Sequence, residues 1–297
     1  MMNDIGISQE LAIILVIDLA IAMLLLTLMR YIQGWWGRVN TTHELAEKDN
    51  FAFGISTAGA VLALAIVLTG AITGEAAESY LMEAIGMTAY GGFGLILIKL
   101  GRWLHDKVAL NQIDKPTLIV EGNMAVAVVD ASVAIATAII IRANLLWAEG
   151  LSINTFIAIF SGFLVAQFML LVMTRLREYL YQRRNPNGGL QVALAQGQLA
   201  IAIRHGGYLV ALALTFKSAS YFIVFDEFAY LTNIVGWLIY SVVMLFVLSI
   251  LLMIAKRLVL ANVNLTREVD QQQNVGVATI EMCISIGIAL ILTSLMA

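Results

Sequence analysis

The chain has few of the residues on which soluble enzymes and disulfide-stabilised proteins depend. Only 12% of its 297 residues are charged and 61% are hydrophobic, whereas about a quarter of a soluble domain is charged. A single soluble domain is therefore excluded. One cysteine, Cys283, excludes an intrachain disulfide and a cysteine-based metal cluster. The three histidines lie far apart and form no H-E-x-x-H pair. They are His43, His105 and His205.

Proline and basic tracts are equally scarce. The two prolines, Pro116 and Pro186, fall in polar segments, so the apolar helices are predicted to be continuous. The net charge of −3 and the absence of a basic tract argue against a nucleic-acid partner. No nucleophile–base motif, phosphate-binding loop or metal-ligand spacing is present. The sequence therefore predicts no catalytic residue, no cofactor and no metal, and we do not expect an enzyme.

Long hydrophobic runs dominate what is there. A helix needs about 20 mainly apolar residues to cross a bilayer, and eight runs meet that length. We predict an all-α integral membrane protein with eight transmembrane helices. The first helix is expected to stay in the mature protein, because the residues before it lack the basic region of a signal peptide. The runs are 11–31, 51–73, 81–101, 123–146, 152–175, 194–217, 228–255 and 275–296.

The basic residues predict the orientation of these helices. Of the 17 Lys and Arg residues, all but three lie in or beside the longer connections. Arg142 and Lys217 lie beside short ones, and Arg204 lies inside an apolar run. Since Lys and Arg are retained on the cytoplasmic side, both termini are predicted on the non-cytoplasmic side of the plasma (inner) membrane. The longer connections are 32–49, 102–121, 176–193 and 256–273, and the short ones are 74–80, 147–151 and 218–227.

An internal repeat divides the chain. Residues 50–66 align with 198–214, and 123–140 align with 274–291, so that Asp130 matches Glu281. This spacing predicts two tandem four-helix repeats, covering 1–146 and 147–297. Because four is an even number, both repeats enter the membrane in parallel orientation, related by a pseudo-twofold axis along the membrane normal.

Two short motifs carry a family resemblance. Asn50-Phe-Ala with Ser56-Thr-Ala-Gly59, and Asn123-Met-Ala-Val-Ala, are similar to the second and fourth helices of the YjfL-like inner-membrane family, classed as domain of unknown function 350. The resemblance covers nearly the whole chain as two copies. In the second copy, Gln198 replaces the first Asn and Arg204-His205 replaces Ser56-Thr57. The family has no settled activity, so the resemblance implies architecture alone.

Four helices begin alike and carry one polar residue seven positions after the opening Asn or Gln. These residues are Thr57, Asp130, His205 and Glu281. We predict that they share one depth, about 10 Å from the cytoplasmic helix ends at 1.5 Å per residue. Ionisable groups at such depth turn inward and take partners. Asp130 and Glu281 are hypothesised to form a proton or cation site across the repeat interface. The alternative is a structural contact, such as an Asp130–His205 or Glu281–Arg204 bridge.

Two more ionisable residues lie within the apolar runs. Arg204 keeps its charge, so it is expected to counter a carboxylate, bind an anion or extend toward the cytoplasmic interface. Asp18 lies near the centre of the first helix, where it either pairs with a basic group or holds a proton.

Two functions remain open from the sequence. One is passage of a proton, ion or small solute near the repeat interface, with Asp130 and Glu281 as binding carboxylates, His205 as titratable partner and Thr57 as hydrogen-bonding partner. The other is a membrane scaffold whose basic cytoplasmic loops recruit a peripheral membrane-stress protein or anionic lipid. The first keeps its site inside the membrane, and the second keeps it in the loops. The oligomeric state is left open.

Overall fold

The computed structural model describes residues 8–72, 79–148, 150–185 and 188–297. Within these ranges the regular structure is helical and contains no strand. Eight of the described helices are long and apolar enough to cross a membrane, which confirms the predicted fold class. Pro186 and most of the connection 74–80 lie outside the described residues.

The long helices alternate with short helical segments. Two of the ten α-helices, α4 and α7, have only six residues. The helices are α1 (Gln9–Gly37), α2 (Phe51–Ile72), α3 (Tyr80–Leu104), α4 (Lys115–Val120), α5 (Met124–Trp147), α6 (Ile153–Arg184), α7 (Leu190–Ala195), α8 (Leu199–Lys217), α9 (Tyr230–Val259) and α10 (Val275–Met296). Single π-helical turns lie at His43–Glu47, His105–Ala109 and Thr266–Gln271, and a 3₁₀ turn at Ser218–Tyr221.

The long helices form four hairpins, each made of an outer helix and the inner helix that follows it. The hairpins are α1–α2, α3–α5, α6–α8 and α9–α10. The inner helices α2, α5, α8 and α10 pack side by side in that order, and the outer helices pack behind them in the order α1, α3, α6 and α9. The core therefore lies along the row of inner helices. The most apolar stretches of α5 and α8 are 72% buried, whereas that of α10 is 28% buried.

The recurrent Asn of the sequence is the N-cap of an inner helix. The Oδ1 atoms of Asn50, Asn123 and Asn274 each accept a hydrogen bond from the backbone N–H three residues later, at 3.0, 3.0 and 3.1 Å. Such a cap satisfies one of the free N–H groups at a helix start and stabilises by about 1 kcal/mol. Gln198, at the start of α8, makes no side-chain cap.

The amide of the same Asn connects successive hairpins. Asn50 Nδ2 donates to the carbonyls of residues 119 and 120, at 3.2 and 2.9 Å. Asn123 Nδ2 donates to those of residues 194 and 195, at 3.0 and 2.9 Å. These carbonyls lie at the ends of α4 and α7, where the hydrogen bonds from residues four positions later are missing. Those of residues 119 and 194 also accept from the N–H groups of Gly122 and Gly197. One side chain thus caps its own helix and the short helix of the next hairpin.

A buried carboxylate supports the first of these caps. Burial raises the pKa of Glu44, but hydrogen bonds from Lys48 (2.7 Å) and Asn50 (3.0 Å) outweigh this effect and lower it overall. The ionised Glu44 therefore holds the Asn50 amide in place beside the hairpin connection.

Inner helices contact each other in one repeated register inside the membrane region. In each pair, the contact residue of the first helix lies nine positions after the cap residue of that helix. The contact residue of the second helix lies eight positions after its own cap residue. The contacts are Gly59–Ala131 (α2–α5), Ser132–Gly206 (α5–α8) and Gly207–Met282 (α8–α10). A Cβ added at Gly59 would lie 2.5 Å from Ala131 Cα, closer than side chains tolerate. Small residues thus allow the backbones to approach closely, as membrane helices require.

The same order of contacts continues toward the other helix ends. Gly70 of α2 lies against Arg142 of α5, and Ser218, directly after α8, donates a hydrogen bond to Thr293 of α10 at 3.3 Å. In each pair, both residues lie eleven positions beyond the preceding contact between the same helices. Neighbouring inner helices therefore run in the same direction.

We expect Gly59→Leu to destabilise the protein strongly, because the new side chain meets the backbone of Ala131. Overfilled cores typically lose about 1–3 kcal/mol. The check is the thermal unfolding midpoint of purified protein in detergent, followed by circular dichroism. Gly92→Leu on α3 is the matched control, since no described atom lies within 4 Å of its added Cβ. Equal midpoints for the two variants would contradict the packing described.

Candidate functional site

Ionisable side chains near the beginnings of α5, α8 and α10 belong to two clusters, which groups from neighbouring elements complete. The first cluster consists of Ser56, Arg102, Lys115 and Asp130. The second cluster surrounds a cavity between α6, α8, α9 and α10 and consists of Arg204, His205, Lys256, Asp270 and Glu281. Each half of the chain therefore has its own polar centre.

Asp130 is the centre of the first cluster, and its side chain is fully buried. Arg102 donates to it twice, from Nε to Oδ1 at 3.0 Å and from Nη2 to Oδ2 at 2.5 Å. Lys115 Nζ lies 2.5 Å from Oδ1, and Ser56 Oγ donates to Oδ2. A carboxylate offers about four acceptor positions, and all four are used here. Asp130 therefore joins α2, α3 and α4 to α5 and has no free position for a cation.

The basic partners of Asp130 were not recognised in the sequence. Arg102 and Lys115 count there only among the cytoplasmic-side charges, yet both are buried. Lys115 also pairs with Asp106 at 2.7 Å. One feature of the sequence could have indicated the pairing of Arg102 with Asp130. Arg102 lies two residues before the end of α3, the long helix that precedes α5 and packs against it. The Asp130–His205 bridge considered from the sequence is not among the contacts of the described residues.

Thr57 lies beside the first cluster. Its side chain is buried, and its hydroxyl has no hydrogen-bond partner among the described residues. It lines a small cavity of about 50 Å³ together with Ser56, Lys99 and Arg102. A space of that size holds a few water molecules and excludes an organic solute.

The second cluster repeats one ion pair of the first. Lys256 of α9 lies 2.7 Å from Glu281 Oε1 on α10, as Arg102 of α3 pairs with the equivalent Asp130 on α5. Arg204 pairs instead with Asp270, in the π-helical turn before α10. The Glu281–Arg204 bridge considered from the sequence is therefore replaced by two separate pairs.

A cavity of about 420 Å³ opens between these two pairs. That volume is in the range of small-molecule sites. Basic groups outnumber acidic ones in its wall by four to two. The basic residues are Arg177, Arg184, Arg204 and Lys256, and the acidic ones are Asp270 and Glu281.

Polar atoms in the cavity wall have no partner within the described chain. His205 is 1% exposed, and neither of its ring nitrogens makes a hydrogen bond; Glu281 Oε2 is also unpaired. A buried unsatisfied polar group costs about 1–3 kcal/mol, so these atoms offer hydrogen-bonding positions to water or to a ligand. Arg177 is held over the ring of Tyr208, with its Cζ 4.2 Å from the ring centroid.

The structure therefore brings together part of the set predicted from the sequence. Arg204, His205 and Glu281 line one cavity, while Thr57 and Asp130 belong to the other cluster. The two carboxylates each have a basic partner in their own half. Asp18 is also buried, but its neighbour is the carboxyl of Glu83 on α3 rather than a basic group.

We expect Asp130→Asn to destabilise the protein more than Glu281→Gln. The first change leaves Arg102 and Lys115 buried without their shared countercharge, and breaking a buried pair in this way costs on the order of 3–5 kcal/mol. The second change affects a carboxyl with one ion pair, at the edge of a cavity. Thermal unfolding midpoints in detergent check the order, and a larger loss for Glu281→Gln would contradict it.

Comparison with known proteins gives a family and no activity. A family model described as Domain of Unknown Function (DUF350) matches the chain twice, over residues 6–145 and 150–296. This confirms the predicted family and its two tandem copies. No curated protein and no solved structure matches the chain. With eight described helices able to span a bilayer, the chain is a multi-pass membrane protein that belongs to the DUF350 family and contains two copies of its domain.

Proposed function

We propose that the protein binds a small anionic solute in the cavity of the second cluster, as the recognition step of its passage across the membrane. The observation that carries this proposal is the excess of basic side chains around a cavity whose buried histidine has no partner. The first cluster, whose carboxylate is saturated, has a structural role in this proposal.

The charges of the cavity support an anion rather than a cation. Glu281 and Asp270 are already paired with Lys256 and Arg204, which leaves Arg177 and Arg184 without an ion pair of their own among the described residues. Uncompensated charge at membrane depth is costly. A bound anion would offset the charge of Arg177 and accept charge-assisted hydrogen bonds from it.

The groups in the wall also suit the recognition of an oxyanion. Arg177 presents a planar set of N–H donors, and its position is fixed by stacking on Tyr208. His205 offers a further ring nitrogen that is able to donate. Both side chains belong to helices that meet along the cavity, α6 and α8.

The cavity is proposed to open toward the cytoplasm. The positive-inside rule places the longer connections, and with them the beginnings of the inner helices, at the cytoplasmic face of the plasma (inner) membrane. The cavity would then be entered from the cytoplasm, with both termini on the opposite side. Its depth is about 10 Å along α10, from the seven residues that separate Asn274 and Glu281 at 1.5 Å per residue.

The scaffold hypothesis assigns a different role to the basic residues at the end of α6. Arg183 and Arg184 end α6, next to the predicted membrane surface, where anionic lipid headgroups attract basic side chains. Arg183 is directed away from the cavity, over the ring of Tyr179, with its Cζ 4.6 Å from the centroid. A lipid-recruiting scaffold depends on Arg183 and Arg184 together, whereas the solute site depends on Arg177.

We expect Arg177→Gln to lower anion flux at least tenfold while the fold is kept, because it removes a cavity charge that forms no ion pair within the described chain. The measurement is uptake of chloride and of inorganic phosphate into liposomes that contain the purified protein. Arg183→Gln on the same helix is the matched control and should leave uptake unchanged.

Equal loss in the two variants would favour surface recruitment of lipid over a solute site. Absence of anion uptake by the unmodified protein, together with proton flux that disappears in Glu281→Gln at an unchanged unfolding midpoint, would instead support the proton or cation pathway derived from the sequence.

A further inference from the structure

The row of inner helices is open at both ends. Within the chain, α2 packs on α5, α5 on α8 and α8 on α10. The face of α10 that would contact a fifth helix has no neighbour in the described chain, and neither has the opposite face of α2. The end helices α10 and α2 are 28% and 56% buried, against 72% for α5 and α8.

The open faces carry the same small-residue positions as the three internal contacts. Nine positions after the cap residue, α2, α5 and α8 have Gly59, Ser132 and Gly207, each packed on the next helix. At this position α10 has Cys283, which is exposed. Cys283 differs from Ser132 only by sulfur in place of oxygen, so it fits a contact of the same kind.

The receiving position is free at the other end of the row. Eight positions after the cap residue, α5, α8 and α10 have Ala131, Gly206 and Met282, which receive the preceding helix. In α2 this position is Ala58, which is exposed. Ala58 and Cys283 are thus the unpaired halves of a contact that the chain makes three times internally.

A second position shows the same pattern. Thirteen positions after the cap residue, Ala63, Ala136 and Ala211 are each 0% exposed. The α10 equivalent is Gly287, and no described atom lies within 4 Å of a Cβ added there. The unpaired face of α10 therefore extends along the helix.

At the cytoplasmic ends of the helices, the two ends of the row also carry complementary hydrogen-bonding groups. The amides of Asn50 and Asn123 reach the carbonyls of the next hairpin, three and four residues before its cap residue. The Asn274 amide bonds only to Glu268 of its own hairpin among the described residues. The equivalent carbonyls at the start of the row are those of residues 46 and 47, before Asn50.

We propose that copies of this protein assemble head to tail, with α10 of one copy packed on α2 of the next. Cys283 lies on Ala58 of the neighbour, and the Asn274 amide donates to the neighbour's carbonyls at 46 and 47. Copies inserted the same way in a membrane present these helices in the same direction, as the internal contacts do. A head-to-tail interface closes into a ring or continues as a row.

A second copy fits this face through two independent features. The occupant must supply a small-residue face in the α2 register and two backbone carbonyls at the cytoplasmic end, and this chain carries both at its other end. Lipid supplies neither. The inference concerns assembly and is independent of what the cavity binds.

The test is oxidative crosslinking in native membranes with Ala58→Cys, which places a second thiol beside the natural Cys283 of the neighbour. We expect disulfide-linked dimers and larger species after treatment with copper phenanthroline, because a disulfide forms only between Cα atoms about 4.4–6.8 Å apart. Ile96→Cys on α3 is the control, as it is 60% exposed, eight residues from the cytoplasmic end of its helix. It should give no such ladder.

The outcomes that overturn the proposal are distinct. Crosslinking of the unmodified protein through two Cys283 residues would show a twofold contact between α10 helices instead. Equal products from Ala58→Cys and Ile96→Cys would show random collision, with lipid covering α10.

A variant of the interface completes the test. Gly287→Leu, added to Ala58→Cys, should abolish the ladder and keep the unfolding midpoint, since no described atom lies within 4 Å of a Cβ added there. Gly92→Leu is the matched control. A ladder that persists in Gly287→Leu would remove α10 from the interface.

Discussion

Close approach of the inner helices is the constraint on which this fold depends. Between helices in a bilayer there is little hydrophobic driving force, so association depends on packing and polar contacts. Gly59, Ser132 and Gly207 allow that approach at three successive interfaces. The asparagine amides fix the register of the first two at the beginnings of the inner helices. The positions of both polar clusters follow from this register.

The two halves of the chain share one helix arrangement but contain different polar clusters. In the first half, Ser56 is small enough to lie against Asp130, and the carboxylate is saturated. In the second half the equivalent residue is Arg204, whose side chain turns to Asp270. Glu281 keeps one partner, and a cavity of about 420 Å³ remains. The two halves thus differ at two adjacent positions, which are Ser56-Thr57 in the first half and Arg204-His205 in the second. The first half accordingly contains a structural group of ion pairs, and the second half contains a candidate binding site.

The sequence predicts more of the fold than of the candidate site. Eight apolar runs and the recurrent Asn fix the helices, since helix length and N-caps are local properties. The common depth of Asp130 and Glu281 follows from the same spacing. Their partners do not, because Arg102, Lys115 and Lys256 approach from other helices whose rotation is set by packing. The grouping into four hairpins is hidden for a similar reason: α4 and α7 are too short to show a periodic pattern.

The asparagine amides have a consequence for synthesis of the chain. Asn50 caps α2 as soon as that helix forms, yet its amide partners at residues 119 and 120 are made seventy residues later. Asn123 likewise waits for residues 194 and 195. The second and third hairpins therefore supply the carbonyl partners of the hairpin made before each of them. The α1–α2 and α3–α5 hairpins thus keep these amide bonds unmade until the following hairpin has been synthesised.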